Sequence, residues 1–156
     1  MARFRRFWYL TRREKLFFFE AYILLLISNI GVKTVAFRHI NRYLHHYNER
    51  SRKAIVRSDD INNDVRLIDV SILRAANVLP WNSLCLSRSI AKLIMLHRRG
   101  IPAILFAGVK FLEDSSLCAH AWVRAGDCVN GENSDRSEST EFTILVRIGL
   151  EPFPHS

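Results

Sequence analysis

The chain has 156 residues, 49% of them apolar and 24% charged, which is enough for one folded domain, residues 1–156, with a buried core. Its net charge of +8 is unevenly placed: residues 1–57 hold 13 Lys/Arg against three acids, whereas residues 58–156 hold 10 against 12, and no base-reading motif, zinc-ligand spacing or Gly-rich phosphate loop accompanies the basic part, which argues against nucleic-acid binding. The three cysteines, Cys85, Cys118 and Cys128, are odd in number and lack a CxxC spacing; this excludes a disulfide framework and an all-cysteine zinc site, and points to a reducing, cytoplasmic setting.

In chain order, Thr11 followed three residues later by Glu14 has the spacing of a capping box and starts a helix. Helix propensity continues to about Ser28, where Asn29 and Gly31 offer a stop. Glu20 interrupts the apolar residues and leaves "AYILLLI" as the longest unbroken run, much shorter than the roughly 20 residues needed to span a bilayer. No small-residue cleavage site of the signal-peptide kind follows it. Phe17, Phe18, Ala21, Leu24, Leu25 and Ser28 fit one helical face, but Phe19, Tyr22, Ile23, Leu26 and Ile27 are apolar too. A helix apolar nearly all round predicts burial of residues 16–28 within the fold or against a partner, with peripheral membrane contact as the alternative.

A second helix is expected over residues 34–48 and a charged connection after it. Residues 64–78 place Val65, Leu67, Ile68, Ile72, Leu73 and Ala76 on one side of another helix, and Pro80 breaks the chain. The next helix runs from Cys85 to about Arg99, with Gly100 as its stop. The period then changes. "AILFAGVKF" (103–111) reads as a buried strand, "CAHAWVRA" and "CVNGEN" as a hairpin around Gly126 and Asp127, and "EFTILVRIG" (141–149) as the last strand. Helices followed by antiparallel strands give an α+β fold, with a basic helical part (1–57) ahead of a core (58–156).

Cys85 in the first turn of its helix is a candidate nucleophile. A helix start presents unpaired N–H groups and the positive end of a dipole, which favour a thiolate and can receive an oxyanion. A histidine delivered by a neighbouring strand takes the thiol proton and later protonates the leaving group, and His120 is placed for that role. Cys118, two residues before His120 on the same strand face, is the rival thiol and lacks a helix terminus. The third member depends on hairpin register. A three-residue loop (125–127) sets Glu132 opposite His120 with Asn130 on the same face, whereas a two-residue loop sets Gly131 and Asn133 there. Glu132 is preferred, Asn130 second and Asp127, in the turn, last.

"VLPWNSLCLSRSIAKLIMLHRRGIPAILFAGVKF" followed by "AHAWVRAGDCVNGE" resembles the lasso-peptide biosynthesis B proteins, through P-W-x-S-L-C-L around Cys85, R-R-G-I-P at the helix end, the G-V strand and A-H-A-W-V around His120. These elements cover about residues 78–132, and "LFFFEAYILLLISNIGVKTVAF" resembles the family's N-terminal helical part. The resemblance implies a transglutaminase-like (papain-like) cysteine protease core, with N-terminal helices followed by a catalytic helix packed on a small antiparallel sheet. It implies cleavage of the leader from a ribosomally made lasso-peptide precursor, by Cys85 and His120, with no metal or cofactor. Its third catalytic residue is usually an Asp that follows an Asn just after the second hairpin strand, where this chain has Gly131 and then Glu132. It also implies a standalone protease half, with a separate leader-recognition protein and an ATP-using macrolactam synthetase as partners. Two other classes stand beside it: a silent transglutaminase-like scaffold that binds a partner, and an amidase or acyltransferase using the same Cys–His pair.

Overall fold

The computed structural model describes residues 10–34, 61–80, 84–112, 116–125 and 142–149. Helix α1 (Arg12–Thr34) opens on the predicted capping box. The Thr11 amide donates to the Glu14 carboxylate (2.9 Å), and the Glu14 amide donates back to the Thr11 hydroxyl (3.2 Å). The backbone bond from Thr11 is the main reason the Glu14 carboxyl sits below the usual carboxylate range. The helix does not stop at Asn29 or Gly31. Asn29 is buried and its amide donates to the Leu25 carbonyl (2.9 Å), so its side chain stays within the helix instead of capping it. Packing has overridden two weak stop signals.

Only one stripe of α1 is buried: Phe17, Ala21, Leu25, Ser28 and Asn29. It packs against α2 (Ile61–Ala76) and α3 (Cys85–Arg98). The opposite row, Leu16, Phe19, Ile23, Ile27 and Ile30, is 53–70% exposed. Of the burial expected for residues 16–28, within the fold or against a partner, the fold itself covers one stripe and leaves the opposite row exposed. The expectation from the unbroken apolar run is corrected, because the 23-residue helix is long and apolar enough, by length and composition alone, to cross a membrane.

Helix α2 buries Val65, Ile68, Ile72, Ala75 and Ala76, a row at the helical spacing, while Leu73 faces out. Ion pairs fix how the helices lie on one another. Arg13 meets Asp64 and Arg74 meets Glu14 between α1 and α2, and Lys92 meets Asp69 (2.6 Å) between α3 and α2. Glu20 of α1 receives Arg98 and Arg99 at the end of α3, and the Arg99 guanidinium lies 4.0 Å from the centre of the Phe17 ring. Glu20, which interrupts the apolar run in the sequence, is thus the residue that ties α1 to α3.

Helix α3 ends as predicted at Gly100, whose φ of 68° suits glycine. The Gly100 amide donates to the His97 carbonyl and the Ile101 amide to the Leu96 carbonyl, the paired bonds of a Schellman motif, with Leu96 and Ile101 both buried. This cap turns the chain into β1 (Ala103–Phe111), which pairs antiparallel with β2 (Leu117–Ala125) and β3 (Thr143–Gly149) in the order β2-β1-β3. Gly149, at φ 148° with the Ala103 carbonyl where a Cβ would stand, allows β3 to close on β1. Alternation points Ala103, Leu105, Val123, Ala125 and Ile148 at the helices, where they join Leu25, Ile68, Leu93 and Leu96 in one core. Thr34, the expected start of a second helix over 34–48, is instead the last residue of α1; residues 35–48 and the expected hairpin strand over 128–133 lie outside the described residues.

His97 is buried in this core, with Nε2 3.1 Å from the Ala103 carbonyl, an arrangement in which Nε2–H is the donor. Burial pushes its pKa below the ordinary 6.5, against the opposing pull of that carbonyl. The unfolded chain therefore binds a proton that the folded chain refuses. His97's share of stability is complete above about pH 6.5 and is lost as pH falls below it towards the folded value. Urea midpoints should fall from pH 7.5 to pH 5.5, and His97→Gln should flatten that part of the profile.

Candidate active site

Cys85 is the first residue of α3 and is half-buried. Leu84 precedes it in an extended conformation (φ −65°, ψ 149°) and makes no side-chain cap bond, so no capping oxygen from that residue occupies the N–H groups of the first turn. An anion held there meets those donors directly.

The other half of the site depends on where α3 lies relative to the sheet. Among the described residues β2 pairs with β1 alone, and Ser89 of α3 donates its hydroxyl to the Ala121 carbonyl of β2 (2.9 Å) in a buried bond. At the far end of the helix, His97 meets Ala103, whose partner across the sheet is Ala125. Helix and strand therefore run in the same direction, with Ser89, one turn into α3, at the Ala121 level. Stepping back from Ser89 to Cys85 is one turn, about 6 Å along the axis. That distance is about two residues of strand, which brings Cys85 to the level of Ala119 and His120.

His120 stands opposite Gly108 of β1. A side chain at Gly108 would collide with the Thr143 carbonyl (2.8 Å) and press on Phe142 (3.2 Å), at the irregularity where β1 shifts register against β3. Because position 108 has no side chain, the Phe142 ring can reach the imidazole, at a centroid distance of 5.7 Å, while Trp122 stacks on its other neighbour side at 6.0 Å. Phe106 stacks on Trp122 in turn (5.6 Å). Cations ring this aromatic wall: Lys110 lies over Phe142 at 4.9 Å, and Arg124 and Arg147 lie over Phe106.

The structure brings Cys85 and His120 to the same end of the same helix–strand pair. It does not join them. Ala121, Val123 and Ala125 are buried towards the helices, so alternation turns His120 to the aromatic side of β2, and no hydrogen bond links it to Cys85 among the described residues. Catalytic hydrogen bonds are often long until substrate is bound. Cys118, half-buried and paired with Lys110, is on the strand, away from any helix start. Glu132, Asn130, Asp127 and Cys128 lie outside the described residues. Among the described residues no group of three or more His, Cys, Asp or Glu could hold a metal ion.

The profile of the transglutaminase-like superfamily matches residues 30–147. The chain belongs to the transglutaminase-like superfamily. The match takes in α2, α3, β1 and β2 and most of β3, and most of α1 precedes it. No curated protein and no solved structure matches the chain. Membership agrees with the α+β architecture of three described helices on a three-stranded antiparallel sheet.

Three positions in the site were not read from the sequence. Ser89, Gly108 and Phe142 act through contacts between elements, and the one signal available beforehand was Ser89's place one turn after Cys85 on the same helix face. Ser89 is a positioning residue: its bond fixes how far α3 slides along β2. Ser89→Ala should lower kcat by roughly tenfold with KM little changed, since small misplacements of reacting groups are costly. Ser89→Thr, which keeps the hydroxyl, should recover part of the loss while the far-ultraviolet dichroism of both variants matches wild type.

Proposed function

We propose that this protein is a cysteine peptidase that removes the leader from a ribosomally synthesised lasso-peptide precursor, acting in the cytoplasm. The observation that carries the reading is Cys85 at the open start of α3, tied through Ser89 to the strand that bears His120. Superfamily membership and the P-W-x-S-L-C-L and A-H-A-W-V motifs support it.

In this reading His120 takes the Cys85 proton, and the thiolate adds to the carbonyl carbon of the scissile peptide bond. The negative charge moves to the carbonyl oxygen, where first-turn amides of α3 are the nearest fixed donors. Collapse breaks the C–N bond as His120 returns the proton to the leaving amine. The leaving fragment departs with a new amino terminus and the other remains as a thioester on Cys85. Water, deprotonated by His120, attacks the thioester and releases a carboxylate and the free thiol. Glu132, with Asn130 as the second choice, is the residue proposed to orient the imidazole. The precursor leader, a separate leader-recognition protein and the macrolactam synthetase are the proposed partners.

Incubation of the protein with a candidate precursor and its recognition protein, followed by mass measurement, tests the reading. Two fragments whose masses sum to the precursor plus one water establish a peptidase. A product carrying an added amine identifies an acyltransferase instead, and an unchanged precursor, with the thiol intact and the recognition protein bound, identifies a scaffold.

A further inference from the structure

The exposed row on α1 has no role in the site or in the core. Leu16, Phe19, Ile23, Ile27 and Ile30 recur at intervals of three and four residues, directly opposite Phe17, Ala21, Leu25 and Ser28. From Leu16 to Ile30 the row runs about 21 Å at ~1.5 Å per residue. All five side chains are at least 53% exposed, so α1 carries a second apolar face beside the one packed against α2 and α3. Contiguous apolar surface of this kind on a folded chain marks a contact with something else.

Charge selects the occupant. α1 contains two acids: Glu14, on the covered side, is paired with Arg74, and Glu20, at the margin of the row, is held by Arg98 and Arg99. The cations fall the other way. On the helical wheel Arg12 continues the row at its start, and Lys15 and Lys33 flank it near either end. The sequence before the helix adds Arg3, Arg5 and Arg6. A second copy of the chain packing row against row would set these cations against cations, Arg12 on Arg12 if parallel and Arg12 on Lys33 if antiparallel, and Glu20, the acid of α1 beside that face, is already held by Arg98 and Arg99. A surface of anionic headgroups over acyl chains matches both parts of the face. The helix cannot cross such a surface while Phe17, Ala21 and Leu25 remain in the core, so it can only lie along it.

We propose that α1 docks in the plane of an anionic lipid surface, with Leu16, Phe19, Ile23, Ile27 and Ile30 in the acyl boundary and Arg12, Lys15 and Lys33 among the headgroups. This holds whatever bond Cys85 attacks.

The full-length protein is sedimented with phosphatidylcholine vesicles and with vesicles containing about one third phosphatidylglycerol, at low and high salt. The expected result is binding to the anionic vesicles that falls at least several-fold in high salt, with little binding to phosphatidylcholine alone. Ile23→Glu with Ile27→Glu should remove vesicle binding and leave the melting temperature unchanged, because both side chains are already exposed. Arg12→Gln with Lys33→Gln should weaken binding and reduce its salt dependence. Absence of binding to anionic vesicles at low salt overturns the proposal, as does equal binding by the Ile23→Glu/Ile27→Glu variant. If light scattering finds a dimer that this variant dissociates, or if only association with a leader-recognition protein is lost, the face belongs to a protein partner and the proposal fails.

Discussion

Cys85→Ala is expected to reduce precursor cleavage by about four orders of magnitude or more, because loss of a nucleophile removes the covalent route and leaves only what binding and the oxyanion donors supply. Cys85→Ser should be almost as damaging, since an alkoxide is far harder to form than a thiolate. Neither change should disturb the fold. Cys85 is half-buried at the edge of α3 and does not belong to the cluster formed by Leu93, Leu96, Leu105 and Val123, so dichroism and melting temperature should match wild type. Cys118→Ala is the control and should keep most activity. An active, folded Cys85→Ala protein would remove the nucleophile assignment, and an inactive Cys118→Ala protein in which Cys85 still takes up an alkylating label would give Cys118 a packing role.

Glu132→Gln should lower kcat by roughly three to four orders of magnitude if a carboxylate holds the imidazole and stabilises its protonated form. Substrate affinity should change little, since the residue is proposed to act on His120 and not on the peptide. Should Glu132→Ala be close to wild type and Asn130→Ala inactive, the imidazole is oriented by an amide. The pH profile separates the two further. Removal of a carboxylate partner shifts the acid limb of kcat/KM, whereas an amide exchanged for alanine lowers the plateau.

Local signals in the sequence translated well into structure. Thr11 and Glu14, and Gly100 after the last turn of α3, mark helix ends through bonds made within a few residues, and both lie where the spacing put them. The strands at 103–111 and 117–125 were legible for the same reason. Asn29 and Gly31 misled because the contacts of α1 with α2 and α3 outweigh a residue's own preference for stopping a helix. Composition could not reveal that α1 has two different apolar faces, since Ile23 and Leu25 look alike until a neighbour covers one of them.

The site divides along the same line. The place of Cys85 at a helix start was legible from Pro80 and Trp81 before it, and that of His120 on a strand from the alternation around it. What relates them was not. Ser89 acts on a carbonyl 32 positions along the chain, and Gly108 matters only because Phe142 arrives from a third strand. Whether Glu132 and Asn130 or Gly131 and Asn133 share the face of His120 turns on one residue of hairpin register, which alternation alone leaves open.

The docking of α1 sets a problem of timing during synthesis. Phe17, Ala21 and Leu25 leave the ribosome well before Ile68 and Ile72 of α2, and earlier still than Leu93 and Leu96 of α3, which cover them in the finished fold. Chains emerge at about 5–20 residues per second, so the 73 positions from Leu25 to Arg98 occupy several seconds in which both apolar faces of α1 are bare. The segment from α3 through β2, by contrast, closes on itself over neighbouring stretches and can assemble as soon as it is made. Until α2 and α3 have emerged, the covered stripe of α1 is as open to its surroundings as the exposed row is in the finished fold.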